Sequence, residues 1–177
     1  MRIIAGANKG RALKAPSWKR LRPTSDKLRE TLFNIVAPRI EKARVLDCFA
    51  GTGAIALEAL SRGAAAATCI ETDRRAVRLI EENRARCGET DRCVIIRDAV
   101  EQALDGPLPG GPFDLIVLDP PYDFAQMEHA LTAAAAQRAP NAIFVLEHAS
   151  RVAPPRPAGL SIDRTVRSGD SSLTFYR

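Results

Sequence analysis

Val45-Leu46-Asp47-Cys48-Phe49-Ala50-Gly51-Thr52-Gly53-Ala54-Ile55-Ala56 is the stretch on which the fold turns. An apolar pair ends in an acid, a turn with two glycines follows, and an apolar segment at helical spacing begins at Ala54. A strand running through a glycine-rich turn into a helix opens a doubly wound α/β fold, whose ligands sit where the strand stops. Gly51 and Gly53 remove the Cβ atoms that would hold a ligand off the backbone. The run Gly51-Thr52-Gly53-Ala54-Ile55-Ala56 also fits the degenerate dinucleotide pattern G-x-G-x-x-[G/A], so nicotinamide binding stays open at this point.

Downstream of this turn, strand and helix signals alternate. Ala54–Ser61 predicts a helix stopped by Gly63, Ala66–Ile70 a second strand, residues 74–86 a helix capped by Gly88, and residues 94–96 a third strand. Residues 115–118 and 143–146 give a fourth and fifth strand, with an Ala-rich helix over 127–137 between them. Pro154-Pro155-Arg156-Pro157 reads as a loop, and residues 160–166 with Ser171–Tyr176 as a closing antiparallel hairpin. Repeated strand-helix-strand units need right-handed crossovers, hence a mostly parallel sheet covered on both faces. The expectation is an α/β protein with a seven-stranded sheet and a C-terminal antiparallel hairpin. A composition 46% hydrophobic but only 5% aromatic suits strands buried between Ala-rich helices.

Upstream, Ile3-Ile4-Ala5 and Ala12-Leu13, separated by Gly6, Asn8 and Gly10, predict a small hairpin. Residues 24–36 predict a helix carrying Leu28, Leu32 and Phe33 at helical spacing, with Thr24, Ser25 and Asp26 as candidate N-caps and Pro38 closing it. This unit has too little apolar surface to fold alone. Residues 1–40 are therefore read as an extension docked on a main domain of residues 41–177.

The net charge is +5, and its distribution is uneven: Arg2, Lys9, Arg11, Lys14, Lys19, Arg20, Arg22, Lys27 and Arg29 crowd a leading segment whose acids are Asp26 and Glu30. That bias points to a phosphate-rich partner. Lys9, Arg11, Lys14, Arg20, Arg22 and Arg29 are the candidate phosphate contacts.

Two acidic turns carry the chemistry. Asp47 at the end of the first strand favours a cationic amino-acid moiety over a pyrophosphate, which its charge would repel. Glu71 ends the second strand, placed to accept hydrogen bonds from ribose hydroxyls, and Asp98 with Ala99 follows the third, beside an adenine amino group. Together with Phe49, Ala50, Gly51, Thr52 and Gly53 these residues form a candidate seat for S-adenosylmethionine. After the fourth strand stands Asp119-Pro120-Pro121-Tyr122. An exocyclic base amine is a poor nucleophile because its lone pair is delocalised into the ring. Acceptors from Asp119 and the Pro120 carbonyl would draw its N–H groups out of conjugation, the prolines stiffen the corner, and Tyr122 can stack on an extruded base.

The four cysteines show no C-x-x-C spacing and are expected to be buried, reduced thiols, and His129 and His148 are isolated, so no metal is expected. The chain has neither a signal-peptide pattern nor a long apolar run, and is read as a cytoplasmic monomer without membrane attachment.

Beyond these local readings, the chain resembles the bacterial small-subunit ribosomal RNA guanine-N2 methyltransferases of the RsmD type. The resemblance is carried by Arg2-Ile3-Ile4-Ala5-Gly6, Lys9-Gly10-Arg11, the segment Arg22-Pro23-Thr24-Ser25-Asp26-Lys27-Leu28-Arg29-Glu30-Thr31-Leu32-Phe33-Asn34, the glycine turn, Leu57-Glu58-Ala59-Leu60-Ser61-Arg62-Gly63 and the acidic tetrapeptide. It implies a class I, Rossmann-like methyltransferase fold and S-adenosylmethionine as cofactor. It further implies methylation of a guanine N2 in small-subunit (16S) ribosomal RNA, within the subunit or its assembly intermediate. Its leading hairpin and helix, Thr24 included, would bind RNA and close over the cofactor. A DNA or protein-glutamine amino methyltransferase is the alternative within enzymes, disfavoured by Asp rather than Asn at position 119. A nicotinamide oxidoreductase and a non-catalytic RNA-binding module are the alternatives from other classes.

Overall fold

The computed structural model describes residues 1–16, 18, 25–121 and 124–177. Its strands are β1 (Arg44–Asp47), β2 (Ala66–Ile70), β3 (Cys93–Ile96), β4 (Phe113–Leu118), β5 (Arg138–Ala149), β6 (Ile162–Ser168) and β7 (Ser171–Tyr176). They form one sheet in the order β3-β2-β1-β4-β5-β7-β6. The first five run parallel, and β7 is antiparallel to both β5 and β6. The strand order reverses at β1, so the carboxyl ends of β1 and β4 flank the crevice where such sheets bind ligands.

Alternation along each strand sorts side chains to two faces. Val45, Leu115, Val117 and Val145 pack on one side with helices α1 (Asp26–Val36) and α2 (Ala54–Ser61). Leu46, Ile116, Leu118, Phe144 and Leu146 pack on the other with α4 (Val100–Ala103) and α5 (Met127–Ala135). A period of two with both faces apolar is what a parallel sheet covered on both sides requires. Helix α3 (Arg74–Cys87) ends at Gly88 in the left-handed region, as its sequence predicts, and begins at an Asp73 cap.

Several elements differ from expectation. The leading hairpin is a loop with a single ladder bridge, Arg2 to Ala12, closed by Ile3 N–H to the Arg11 carbonyl (3.0 Å) and Gly10 N–H to the Ile3 carbonyl (2.9 Å). Ser25, through its Oγ, caps α1 at the Leu28 amide (3.1 Å); Thr24 lies outside the described residues. The one-turn helix α4 has no periodicity to announce it, and β5 begins five residues before the apolar run at 143. Helix α5 stops at Ala135 because Gln137 turns aside, accepting from Leu108 N–H (3.1 Å) and donating to the Gly106 carbonyl (2.8 Å).

The leading residues share the main core: Ile3, Leu13, Leu28, Leu32, Phe33 and Val36 belong to one buried cluster with Leu57 and Val145. Glu58 on α2 is fully buried, and its carboxylate accepts from the Ile4 amide (2.7 Å), the Ala5 amide (3.0 Å) and Arg62 Nε (2.7 Å). Gly6 crosses so close to α2 that a Cβ would stand 1.8 Å from the Ser61 carbonyl oxygen.

Candidate active site

At the end of β1 the chain enters its turn through the Cys48 amide, bonded to the Val117 carbonyl (2.9 Å), and the Ala50 amide, bonded to the Ile70 carbonyl (3.0 Å). Gly51 and Gly53 take φ of 54° and 75°, a region closed to most L side chains. Gly53 also lies against α3, where a Cβ would sit 3.0 Å from Ile80 Cγ2. Glu71, at the end of β2, pins this turn from the side. Its two carboxylate oxygens accept from the Gly51 amide (2.8 Å) and the Asp73 amide (2.9 Å), and burial pushes its pKa up against those bonds.

A cleft of about 1000 Å³ opens over these strand ends. Its wall contains Phe49, Ala50, Gly51, Thr52, Glu71 and Asp98 from the cofactor set, and Asp119, Pro120 and Pro121 from the acidic corner. The corner and the glycine turn thus face one space. Asp119 is half-buried at the end of β4, and Pro121 holds the next stretch through its carbonyl, which accepts from the Phe124 amide (2.9 Å). Phe124 in turn meets Phe49 edge-on, ring centroids 5.0 Å apart, and so joins the two turns by an aromatic contact. Asp98 is exposed, and its Oδ1 accepts from the Ala99 amide (2.9 Å).

Other expected residues stand elsewhere. Asp47 is not on the wall: it is 1% exposed, beneath the turn, and neither carboxylate oxygen has a hydrogen-bond partner. Burial, with Asp119 and Glu71 nearby, pushes its pKa up to about 7. Gly53 and Ala99 are not on the wall either. Tyr122 and Thr24 fall outside the described residues, as do Arg20 and Arg22.

The RNA set divides. Lys9 is exposed, Arg11 donates to the Arg86 carbonyl, and Lys14 pairs with Glu82. Arg29 is not a surface cation. Its side chain is fully buried, bonded to the Arg2 carbonyl (2.5 Å) and Asp26 (3.0 Å), with Glu58 at 3.8 Å, and it fastens α1 to the leading loop instead of presenting charge. His148 is tied to Thr174 (2.8 Å) and the Ala149 carbonyl (3.1 Å), a structural role. All four cysteines are buried and free.

Sequence reading missed several wall residues: Trp18, Ser25 and Leu28 from the leading segment, Phe124, and Ser168 with Asp170 near the β6–β7 turn. The available signal was an isolated aromatic in a polar stretch at Trp18, and at Phe124 a second aromatic two residues past Tyr122.

Comparison with known proteins agrees with this architecture. The family described as "Conserved hypothetical protein 95" matches residues 1–177. "Ribosomal RNA small subunit methyltransferase D" of Escherichia coli (strain K12) is 37% identical over 182 aligned positions, covering 100% of this chain and 89% of that protein. The solved structure of yhhF from Escherichia coli superposes with a TM-score of 0.87 at 36% identity, covering 99% of this chain and 96% of the other. An RNA methyltransferase from Salinibacter ruber, solved in complex with S-adenosyl-L-homocysteine, shares the class I methyltransferase fold at a TM-score of 0.69 and 15% identity, over 87% of this chain and 92% of that one. Matched from end to end, with the glycine turn and the acidic corner on one cleft, the chain belongs to the ribosomal RNA small subunit methyltransferase D family.

Proposed function

We propose that this chain methylates the exocyclic N2 amine of a guanine in small-subunit (16S) ribosomal RNA, with S-adenosylmethionine as methyl donor. One juxtaposition carries the reading: Asp119, Pro120 and Pro121 line the same cleft as the glycine turn, Glu71 and Asp98. The residues fit that cofactor. The cleft is large enough for a nucleoside-linked amino acid and a base together, and the two orphaned oxygens of Asp47 beneath the turn lack the positive charge that an amino-acid ammonium group would bring near.

Bound there, S-adenosylmethionine supplies a methyl group made electrophilic by its positively charged sulfur. The chain supplies position and charge. Glu71 holds Gly51 and keeps further lone pairs for ribose hydroxyls. Asp98 offers an exposed carboxylate to an adenine amino group. The Asp119 carboxylate and the Pro120 carbonyl accept from the guanine NH2, favour its pyramidal form and free its lone pair for in-line attack. Tyr122 supplies the stacking surface for the extruded base.

Residues 1–40 act as the RNA-binding and cofactor-covering extension of a methyltransferase domain at 41–177, with Thr24 among the cofactor contacts. Lys9, Arg11, Lys14, Arg20 and Arg22 meet phosphates; Arg29 drops out because it is enclosed. The substrate is RNA in the small subunit or its assembly intermediate, and the enzyme works as a cytoplasmic monomer. No helix among the described residues is long and apolar enough to cross a membrane.

The test is incubation of the protein and labelled S-adenosylmethionine with small subunits lacking the modification, followed by nuclease digestion and mass spectrometry. N2-methylguanosine at a single nucleotide is expected. Label in adenosine, cytidine or a ribosomal protein, or no incorporation, would overturn the assignment.

A further inference from the structure

We infer that Trp18 walls the nucleoside end of the cofactor cleft, its ring lying against the adenine of S-adenosylmethionine. The inference rests on the methyltransferase reading above and names the aromatic surface that recognises the cofactor's purine. Trp18 is the chain's single tryptophan, half-buried, and it lines the cleft beside Glu71, Thr72 and Asp73.

Its position is set from two directions. The Arg75 guanidinium lies 4.8 Å from the ring centroid, and Asp73 holds that guanidinium through Nη2 (3.0 Å) and Nε (3.3 Å). Asp73 caps α3, two residues beyond Glu71. In the strand order β3-β2-β1-β4, Glu71 and Asp98 follow β2 and β3, whereas Asp119 ends β4 on the other side of β1. Trp18 therefore belongs to the side where ribose and adenine contacts gather, away from the corner for the reacting amine.

The second constraint is a buried amide. Asn83 of α3 is 0% exposed. Its Oδ1 accepts from the Lys14 amide (2.8 Å), and its Nδ2 donates to the Lys14 carbonyl (3.2 Å) and to the Thr52 carbonyl (3.0 Å) in the glycine turn. One side chain thus joins the cofactor's seat to the root of the segment bearing Trp18. Trp18 is four residues past that anchor, a reach of at most about 14 Å of extended chain, so the ring stays near the cleft. A flat apolar ring suits the flat purine end of the cofactor; the charged amino-acid end belongs near Asp47.

A single tryptophan makes intrinsic fluorescence a report on this position alone. Titration of S-adenosylhomocysteine into the wild type is expected to give a saturable emission change with the same midpoint as calorimetry. Trp18→Ala should weaken that binding about tenfold and raise KM for S-adenosylmethionine in proportion, with a smaller change in kcat, while Trp18→Phe stays within about threefold of wild type. Asn83→Ala, checked for folding by circular dichroism, should red-shift Trp18 emission and weaken the homocysteine analogue as well. Calorimetric binding with unchanged emission and unchanged affinity in Trp18→Ala would overturn the inference and leave the methyltransferase reading intact. An emission change with guanosine monophosphate but not with the analogue would also overturn it, giving the ring to the substrate base. No analogue binding at all would overturn both.

Discussion

Asp47 and Asp119 end neighbouring strands of one sheet, yet the first is 1% exposed beneath its turn and the second stands half-buried on the cleft wall. The turns that follow them are built by opposite means. After β1, glycines at positive φ bring the backbone to the cleft, and Glu71 fastens it by accepting an amide proton. After β4, two prolines stiffen the chain and offer no N–H, and Asp119, Pro120 and Pro121 line the cleft. The first turn suits a cofactor that must be held; the second suits an amine that must be drawn out of conjugation.

The largest expected effect tests the second turn. Asp119→Ala should lower single-turnover methyl transfer to small subunits by about a thousandfold, within the range for removing one preorganised transition-state contact. Retention of more than a tenth of the wild-type rate would remove Asp119 from the chemistry.

The first turn is tested through pH. The Asp47 carboxyl has its pKa raised from the ordinary 3.8 to about 7. Between about pH 4 and about 7 the folded chain keeps a proton that the unfolded chain has lost. The Asp47 contribution to stability is therefore full below about pH 4 and falls as pH rises to about 7, by up to about 4 kcal/mol. Denaturant unfolding across that range should show the decline, and Asp47→Asn should flatten it. An unchanged slope in the variant would mean that Asp47 ionises normally.

Glu58→Gln sharpens the contrast between an unpaired buried acid and a paired one. It takes the buried charge from Arg62 (2.7 Å) and from the enclosed Arg29 (3.8 Å), which keeps only Asp26, and should destabilise by about 3 kcal/mol and lower Tm by about 6–12 °C. A shift under 2 °C would mean that Arg29 does not depend on Glu58.

The smallest effect concerns the leading loop. Neutralising Lys9 and Arg11 together should weaken RNA binding and reduce the slope of log affinity against log salt by about one to two. A filter-binding series with an unchanged slope would take this loop out of the interface.

What was legible follows from what kind of signal each element carries. Strand Ala66–Ile70 and helix Ala54–Ser61 were readable to the residue, because short buried runs bounded by glycine or by polar residues admit few alternatives. The two acidic turns were readable because each combines an acid with residues of special backbone geometry. Arg29 was misjudged because a count of charges does not reveal a buried carboxylate on a distant helix. Asp47 was placed at the right strand end but on the wrong side of the wall, since sequence does not say whether a terminal side chain points into or beneath a cleft. Phe124 and Trp18 carry no periodicity, and Asn83 falls in step with the buried face of α3 without naming its partners; the contacts of all three exist only once α3, the leading segment and the two turns have come together.

The division of labour between the two turns is tested most directly by calorimetric titration of S-adenosylhomocysteine into the wild type, Asp119→Ala and Gly53→Val. Gly53 sits at φ 75° with Ile80 in the way of a side chain, so Gly53→Val should lose at least tenfold in affinity, while Asp119→Ala stays within about threefold of wild type. Equal losses in both variants, or full affinity in Gly53→Val, would contradict the account.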